Sequence, residues 1–212
     1  DLVRSRGLGD VYKRQDEGHI NVVYQTKCST GKNSGKKTKT GDARTPEGIY
    51  FPTRQYGDRE LSSTYGSMAF HLDYPNPEDV RMGRDGNNIW LHGTDKPLQD
   101  FQSNGCITLE NGDIETLSKY ITLYQTPVII YDYIKWVPQK VLLTLRKELR
   151  DVLDLWVDAT KLGDMTAVES LYSPSGNKDN AVFLAEQVEK WRERDMVFSL
   201  ELKNISLLKH DN

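Results

Sequence analysis

The 212-residue chain contains only two cysteines, Cys28 and Cys106, and only four histidines. It has no run of about 18 apolar residues, so the sequence predicts no transmembrane helix. Its formal net charge of −3 gives no reason to expect a nucleic-acid partner, which calls for a basic stripe. The histidines show no metal-ligand spacing with cysteines or carboxylates, so we expect neither a metal nor another cofactor.

What the chain does contain is a histidine and a cysteine in a glycine-rich setting. The apolar run 88–91 predicts a buried strand that ends at His92, and Cys106 follows 14 positions later, directly after Gly105. A cysteine becomes a strong nucleophile as the thiolate, and a nearby imidazole is the usual means of forming one. Gly105 lets the backbone approach a substrate and aim N–H groups at an oxyanion. These residues predict a thiol acyl-transfer site.

A structural role for both residues is the alternative. His92 would then be a satisfied histidine at a strand end, and Cys106 a small buried apolar residue. Two cysteines also allow one disulfide, Cys28–Cys106, whereas a nucleophilic Cys106 has to be free. Gly93 and Gly105 favour the catalytic interpretation, because a plain strand or helix needs neither and each costs roughly 0.5–1 kcal/mol relative to alanine there.

The motif His92-Gly93-Thr94 followed by Ser103-Asn104-Gly105-Cys106-Ile107 resembles the active-site signature of the L,D-transpeptidases, which carry a YkuD-type catalytic domain. The turn Thr45-Pro46-Glu47-Gly48 resembles that family's Thr-Pro-x-Gly turn. Tyr74-Pro75-Asn76 resembles the peptidoglycan-trimming subset, which includes the L,D-carboxypeptidases that shape helical bacteria. The resemblance covers about residues 19 to 134.

This resemblance implies cysteine-dependent acyl transfer on peptidoglycan stem peptides. The Cys106 thiolate would attack the carbonyl of the L-to-D bond before the terminal D-alanine, with His92 as the base. An amine from a second stem peptide would resolve the thioester and give a cross-link. Water as the acceptor would instead make the enzyme an L,D-carboxypeptidase that trims tetrapeptides to tripeptides. A non-catalytic cell-wall-binding module is the alternative from another functional class.

The resemblance also assigns roles to the neighbouring residues. The Gly93 carbonyl would orient the His92 imidazole. The oxyanion and substrate site is expected to comprise Gly105, Asn104, Ser103 and His71. His71 could instead be a partly exposed strand residue. The family often has histidine at the position of Asn104 and arginine or asparagine at that of Thr108, and these departures bear on the acyl acceptor.

The implied location is the periplasm or the cell envelope. No export signal is visible in the chain, which begins at Asp1 rather than at methionine. Residues 1–15 resemble a translated sequencing adapter and show no hydrophobic period. We hypothesise that this segment is non-native and replaces the true N-terminus, including any export signal and the first strands of the catalytic domain. The sequence predicts no particular oligomeric state.

Residues 16–136 are expected to form the catalytic domain, a mainly β sandwich or barrel with one helix. Strands are predicted at 19–27, 49–51, 67–72, 88–91 and 127–133. A helix is predicted near 114–121 with Asp113 as its N-cap, and 74–85 is predicted to be a loop. The polar, lysine-rich segment 29–45 is either a flexible solvated loop or a basic lip that attracts an anionic substrate.

Residues 137–212 have a different pattern. Apolar residues at spacings of three and four predict a helix over 141–156, and shorter helices are predicted at 165–172 and 180–194. Polar alternation predicts a strand over 197–205, which gives a small α+β domain. The segment 155–173 resembles the opening of a nuclear transport factor-like domain, of which we expect a truncated form. The alternative is a helical cap on the catalytic domain.

Overall fold

The computed structural model describes residues 2–5, 8–14, 20–132, 138–172, 179–196, 199–202 and 205. By its internal contacts the chain divides into two compact units, which fall mainly in Asp1–Trp136 and Val137–Lys209.

The described part of the first unit consists of two sheets, two α-helices and two 3₁₀ turns. Its strands are β1 Leu2–Ser5, β2 Leu8–Arg14, β3 Ile20–Lys27, β4 Gly48–Tyr50, β5 Pro52–Gly57, β6 Met68–Leu72, β7 Trp90–His92, β8 Ile107–Thr108 and β9 Val128–Ile130. Its helices are α1 Pro77–Arg81 and α2 Asn111–Ser118, and its 3₁₀ turns are Asp58–Glu60 and Ser63–Tyr65.

Both sheets combine parallel and antiparallel pairings. The larger has the strand order β3-β2-β1-β9-β4, and the smaller has β5-β6-β7-β8. In the larger sheet β1 runs parallel to β9, and in the smaller β7 runs parallel to β8. The parallel register sets Leu91 opposite Ile107 and His92 opposite Thr108. It therefore joins the end of one predicted strand to the segment that follows Cys106.

Both sheets and α2 contribute side chains to one apolar core. Its fully buried members include Phe70 and Leu91 of the smaller sheet, Ile130 of the larger sheet and Ile114 of α2. Side chains alternate along a strand, so Leu91 enters the core while His92 leaves on the other face. A mainly β unit with two sheets around a shared core agrees with the predicted class.

The five predicted strands are confirmed in position. β3, β4, β6, β7 and β9 each lie in or overlap one of the predicted ranges, with His19 and Tyr133 outside the described residues. Four of the described strands were not predicted: β1 and β2, which lie in the segment 1–15, and β5 and β8. The outer part of β5 is polar and exposed, and β8 is only two residues long, so neither has a detectable hydrophobic period.

The expectation of a single helix is wrong, because α1 lies inside the predicted loop 74–85. Its five residues are too few for a periodic signal, but its start is well determined. Asn76 is the N-cap, Pro77 occupies the first helical position, and Asn76 and Asp79 exchange side-chain to backbone hydrogen bonds. This is a capping box, in which two otherwise unpaired amides are satisfied reciprocally.

The predicted cap of α2 is also wrong. The helix begins earlier, after Glu110, and Asp113 lies in its first turn. The Asp113 carboxylate instead accepts hydrogen bonds from Thr26 and from the Tyr24 hydroxyl, the latter at 2.6 Å. Asp113 therefore connects α2 to β3 through long-range hydrogen bonds and does not form the local N-cap that the sequence predicted.

Leu2–Ser5 and Leu8–Arg14 form strands although their sequence shows no hydrophobic period. β1 pairs in parallel with β9, and β2 pairs antiparallel with both β1 and β3. β1 and β2 therefore lie inside the larger sheet, between β9 and β3. The adapter origin of residues 1–15 stays a prediction.

The described part of the second unit contains three helices, at the positions that the periodicity predicted. They are α3 Gln139–Leu162, α4 Met165–Ser170 and α5 Asp179–Arg192. Gly163, with φ +69°, ends α3 in the left-handed conformation, and Asp164 caps α4 through the Ala167 amide at 2.9 Å. Within the described residues, no helix is long and apolar enough to cross a membrane.

The strand predicted over 197–205 is absent where the structure describes that range. Residues 199–202 and 205 are irregular, and 197–198 and 203–204 lie outside the described residues. A strand needs a partner for its backbone hydrogen bonds, and the described part of this unit offers only helices. The α+β expectation is thus wrong for that part. Its assignment to a nuclear transport factor-like domain stays a prediction.

We expect Leu91→Ala to lower the free energy of unfolding by roughly 2–5 kcal/mol, because it leaves a cavity in the core beneath β7. Urea denaturation followed by circular dichroism measures this loss. Val80→Ala is the control, since Val80 is 62% exposed and its truncation should change stability by less than about 0.5 kcal/mol. Equal effects of the two substitutions would contradict the placement of Leu91.

Candidate active site

The end of β7 positions the histidine. His92 is the last residue of this strand and is buried, with 6% of its surface exposed. It pairs with Ala69 of β6 on one side and with Thr108 of β8 on the other. Residues 106 and 108 are two apart, so in extended backbone their side chains leave on the same face as His92. Strand register thus brings together a histidine and a cysteine that are 14 positions apart.

The imidazole of His92 has a defined tautomer. Nδ1 lies 2.6 Å from the carbonyl oxygen of Gly93, which can only accept, so Nδ1 carries the proton. Nε2 therefore carries the lone pair, and it lies 3.3 Å from Thr108 Oγ1. Burial lowers the pKa of His92, and the hydrogen bond to Gly93 offsets part of that effect. The ring is a neutral base at pH 7 whose accepting nitrogen faces β8.

Cys106 carries a free thiol. Neither Cys106 nor Cys28 is in a disulfide, so the pairing that the sequence allowed is not formed. The Sγ of Cys106 donates to the Asn88 carbonyl oxygen at 3.6 Å. Burial raises the pKa of this thiol, while the backbone N–H of Trp90 and the positive charge of Lys37 offset part of the rise. The thiol is therefore neutral at pH 7, like the imidazole.

Ser103 and Gly105 shape the turn that presents Cys106. The Ser103 hydroxyl donates to the Cys106 carbonyl oxygen at 2.6 Å and accepts from the Gly105 amide at 3.0 Å. Gly105 has φ +132°, and a Cβ there would lie 2.7 Å from the Arg44 carbonyl oxygen. Only glycine fits this turn without strain. For the Gly105 N–H to serve an oxyanion, its bond to Ser103 would have to open.

The other two predicted site residues lie at different distances from the thiol along the sheet. Asn104, next to the turn, is exposed, and its Oδ1 accepts from Lys32 Nζ at 3.1 Å. His71 lies on β6 opposite Trp90, whose ring it meets edge-on at a centroid distance of 6.1 Å. Because β7 separates β6 from β8, His71 is two strands away from the thiol. Its Nδ1 lies 3.0 Å from Thr53 Oγ1, and burial lowers its pKa.

Asn111, which sequence reasoning missed, joins the segment before β6 to the loop that follows His92. Its Oδ1 accepts from the Ser67 amide at 3.0 Å, and its Nδ2 donates to Asp95 at 2.8 Å. A Cβ on Gly66 or on Gly93 would collide with the same Asn111 oxygen. The glycine after His92 was the sequence signal for this close contact, but nothing in the sequence identified its partner.

A group of aromatic side chains also contacts the His92 imidazole. Trp90 stacks on Tyr56, with ring centroids 4.8 Å apart and planes 5° apart, and it also contacts Tyr65 at 4.9 Å. Tyr65 in turn meets the His92 ring edge-on at 5.0 Å. Such geometries are favourable for aromatic pairs. Because Tyr56 and Tyr65 are distant from Trp90 in sequence, only the fold reveals this group.

Part of the lysine-rich segment is buried rather than solvated. Lys37 is 4% exposed and pairs with Asp42, with its Nζ 2.7 Å from the carboxylate. Burial alone would raise the pKa of Asp42, but hydrogen bonds from Lys37 and from three backbone amides lower it well below its usual range. The part of the segment around Lys37 and Asp42 is therefore not a solvated flexible loop. Lys37 places a fixed positive charge that acts on the Cys106 thiol.

Among the described residues, no group of three or more histidine, cysteine or carboxylate side chains is arranged to hold a metal ion. The groups that the site does offer are a thiol, a neutral base of fixed tautomer and backbone amides in a tight turn.

Comparison with known proteins agrees with this geometry. The L,D-transpeptidase catalytic domain family YkuD matches residues 10–130. YafK of Escherichia coli (strain K12) is 26% identical over 113 residues, which are 53% of this chain and 42% of YafK. The match therefore spans less than half the length of that relative.

Two solved structures resemble the chain over most of its length. Bd1075 of Bdellovibrio bacteriovorus superposes with a TM-score of 0.70 at 26% identity, covering 89% of this chain and 70% of that one. Pgp2 of Campylobacter jejuni, described as a helical cell shape determining protein, superposes with a TM-score of 0.66 at 25% identity, covering 91% and 68%. The chain belongs to the YkuD family of L,D-transpeptidase catalytic domains.

We expect Gly93→Ala to destabilise the fold by about 1–3 kcal/mol, because the added methyl group displaces Asn111. Thermal and urea denaturation measure the loss. Gly112→Ala is the matched control, since a Cβ at Gly112 meets nothing within 4 Å and should be neutral or slightly stabilising. Adding Asn111→Ala to Gly93→Ala should cost less than the two single changes combined. Strict additivity of the two would contradict the contact.

Proposed function

We propose that the chain catalyses cysteine-dependent acyl transfer on peptidoglycan stem peptides, at the L-to-D bond before the terminal D-alanine. The observation that carries this proposal is the placement of the Cys106 and His92 side chains on one sheet face, with the imidazole proton held on Nδ1 by Gly93. A base with this tautomer can accept a proton from a thiol without any further rearrangement of its own protons.

The proton steps follow from that tautomer. Cys106 gives its proton to Nε2 of His92 and, as the thiolate, attacks the carbonyl carbon of the scissile bond. The negative charge moves to the carbonyl oxygen, where backbone N–H groups of the Ser103–Cys106 turn are the available donors. Collapse of this intermediate breaks the C–N bond, and the D-alanine amine takes the proton from Nε2. A thioester on Cys106 remains.

The acyl acceptor determines the product. Attack by an amine from a second stem peptide, with its proton passing to His92, gives a cross-link and regenerates the thiol; this is the leading proposal. Attack by water gives a tripeptide and defines an L,D-carboxypeptidase. The resemblance of the Tyr74-Pro75-Asn76 loop to the trimming subset and the structural similarity to Pgp2 support this second candidate.

The cellular setting is part of the same proposal. Family members that act on stem peptides meet their substrate in the cell envelope, so we place this protein there. We also propose that the second unit is a nuclear transport factor-like accessory domain. Bd1075 and Pgp2 cover about nine-tenths of this chain, more than the first unit alone provides, which supports a counterpart of the second unit in those structures.

Incubation with a disaccharide tetrapeptide, followed by mass spectrometry, tests the reaction. We expect release of D-alanine, with dimers if an amine is the acceptor and tripeptide alone if water is. Cys106→Ala should abolish all products, because it removes the proposed nucleophile and the other cysteine of the chain, Cys28, is buried in the core.

Cys28→Ala is the matched control, since Cys28 is a reduced cysteine in the core of the same unit, and it should retain activity. Turnover by the Cys106→Ala variant would contradict the assigned nucleophile. A wild-type protein that binds peptidoglycan but releases no D-alanine would favour the non-catalytic cell-wall-binding module.

A further inference from the structure

Thr108 is held rigidly beside the catalytic base. Its backbone exchanges two hydrogen bonds with Ser29, at 2.9 Å through its N–H and 2.8 Å through its carbonyl oxygen, and it pairs in register with His92. Its Oγ1 lies 3.3 Å from Nε2 of His92. Since Nδ1 holds the only proton of the neutral ring, Nε2 can only accept, and the Thr108 hydroxyl is the donor. The lone pair that would take the thiol proton is therefore occupied.

The thiol has a different partner in the same structure. Cys106 Sγ donates to the Asn88 carbonyl oxygen at 3.6 Å, and among the described residues it makes no hydrogen bond to His92. Asn88 has φ +54°, a conformation that asparagine tolerates better than most residues and that fixes the direction of this carbonyl. Proton transfer from Sγ to Nε2 thus requires two hydrogen bonds to break, one at each group.

We propose that Thr108 is a positioning residue that competes with Cys106 for Nε2 of His92, and so holds the resting site as a thiol beside a neutral imidazole. This proposal rests on the proposed function, in which His92 is the base for Cys106. It gives a role to the residue at which this chain departs from the arginine or asparagine frequent in the family.

The surrounding charged and titratable groups do not substitute for this hydroxyl. Lys37 acts on the Cys106 thiol in the opposite direction, since its positive charge favours the thiolate. Tyr65 meets the His92 ring at its edge, and His71 is separated from it by Trp90. Burial disfavours both charged forms. A hydrogen bond donated by Thr108 to Nε2 favours the neutral imidazole by its geometry alone, because Nε2 can accept this bond only while it carries no proton.

The pH dependence of Cys106 alkylation by iodoacetamide, followed by peptide mass spectrometry, tests the competition. In Thr108→Val the hydroxyl is lost with little change of shape. We expect the midpoint of the alkylation profile to fall by roughly half to one pH unit, and the rate at pH 7 to rise about fivefold, as the loss of one competing hydrogen bond implies. Thr108→Ser keeps a hydroxyl and should behave like the wild type. Thr108→Ala replaces the valine variant if that variant does not fold.

Two outcomes would overturn the proposal. An unchanged midpoint in both hydroxyl-free variants would mean that Thr108 does not compete for Nε2, and a raised midpoint would mean that its hydroxyl stabilises the imidazolium. Failure of the proposed function is recognised separately. In that case wild-type Cys106 would resist alkylation at every pH at which the protein stays folded, or the Cys106→Ala variant would still release D-alanine.

Discussion

The hydrogen bond from His92 Nδ1 to the Gly93 carbonyl is the interaction on which the rest of the site depends. At 2.6 Å it fixes the imidazole proton on one nitrogen and leaves a single lone pair, on Nε2, pointing toward β8. The carbonyl can hold this position because Gly93 packs directly against Asn111. Asn111 in turn hydrogen-bonds to Ser67, before β6, and to Asp95, in the loop that follows His92. A side chain at position 93 would push the Gly93 backbone and the Asn111 side chain apart.

The electrostatic character of the site follows from burial more than from charge. Burial raises the pKa of the Cys106 thiol and lowers that of the His92 imidazole, so both groups are neutral at pH 7. The positive charge of Lys37 acts against this preference, and it is itself neutralised in part by its ion pair with Asp42. In the proposed mechanism Cys106 is therefore a latent nucleophile, whose activation requires hydrogen bonds at Asn88 and Thr108 to be exchanged.

The sequence was sufficient to single out His92 and Cys106 as candidate site residues, because the glycines next to them have no use in a plain strand, and their catalytic roles stay a prediction. It could not find Thr108, Asn111 or Tyr65 as neighbours of the imidazole. These residues come from a strand, a helix and a 3₁₀ turn that only the register of β6, β7 and β8 brings together. The same limit applies to the fold: strands with apolar runs were predictable, whereas α1 is too short for a period and β1 and β2 have none.

The protonation state of His92 tests the account most directly. Nitrogen-15 NMR of the labelled protein at pH 7 reports whether each ring nitrogen carries a proton. The account predicts a neutral imidazole protonated at Nδ1 alone, with an unprotonated Nε2. An imidazolium protonated at both nitrogens would contradict it, because it would mean that a preformed thiolate–imidazolium pair, and not a neutral one, is the resting state of the site.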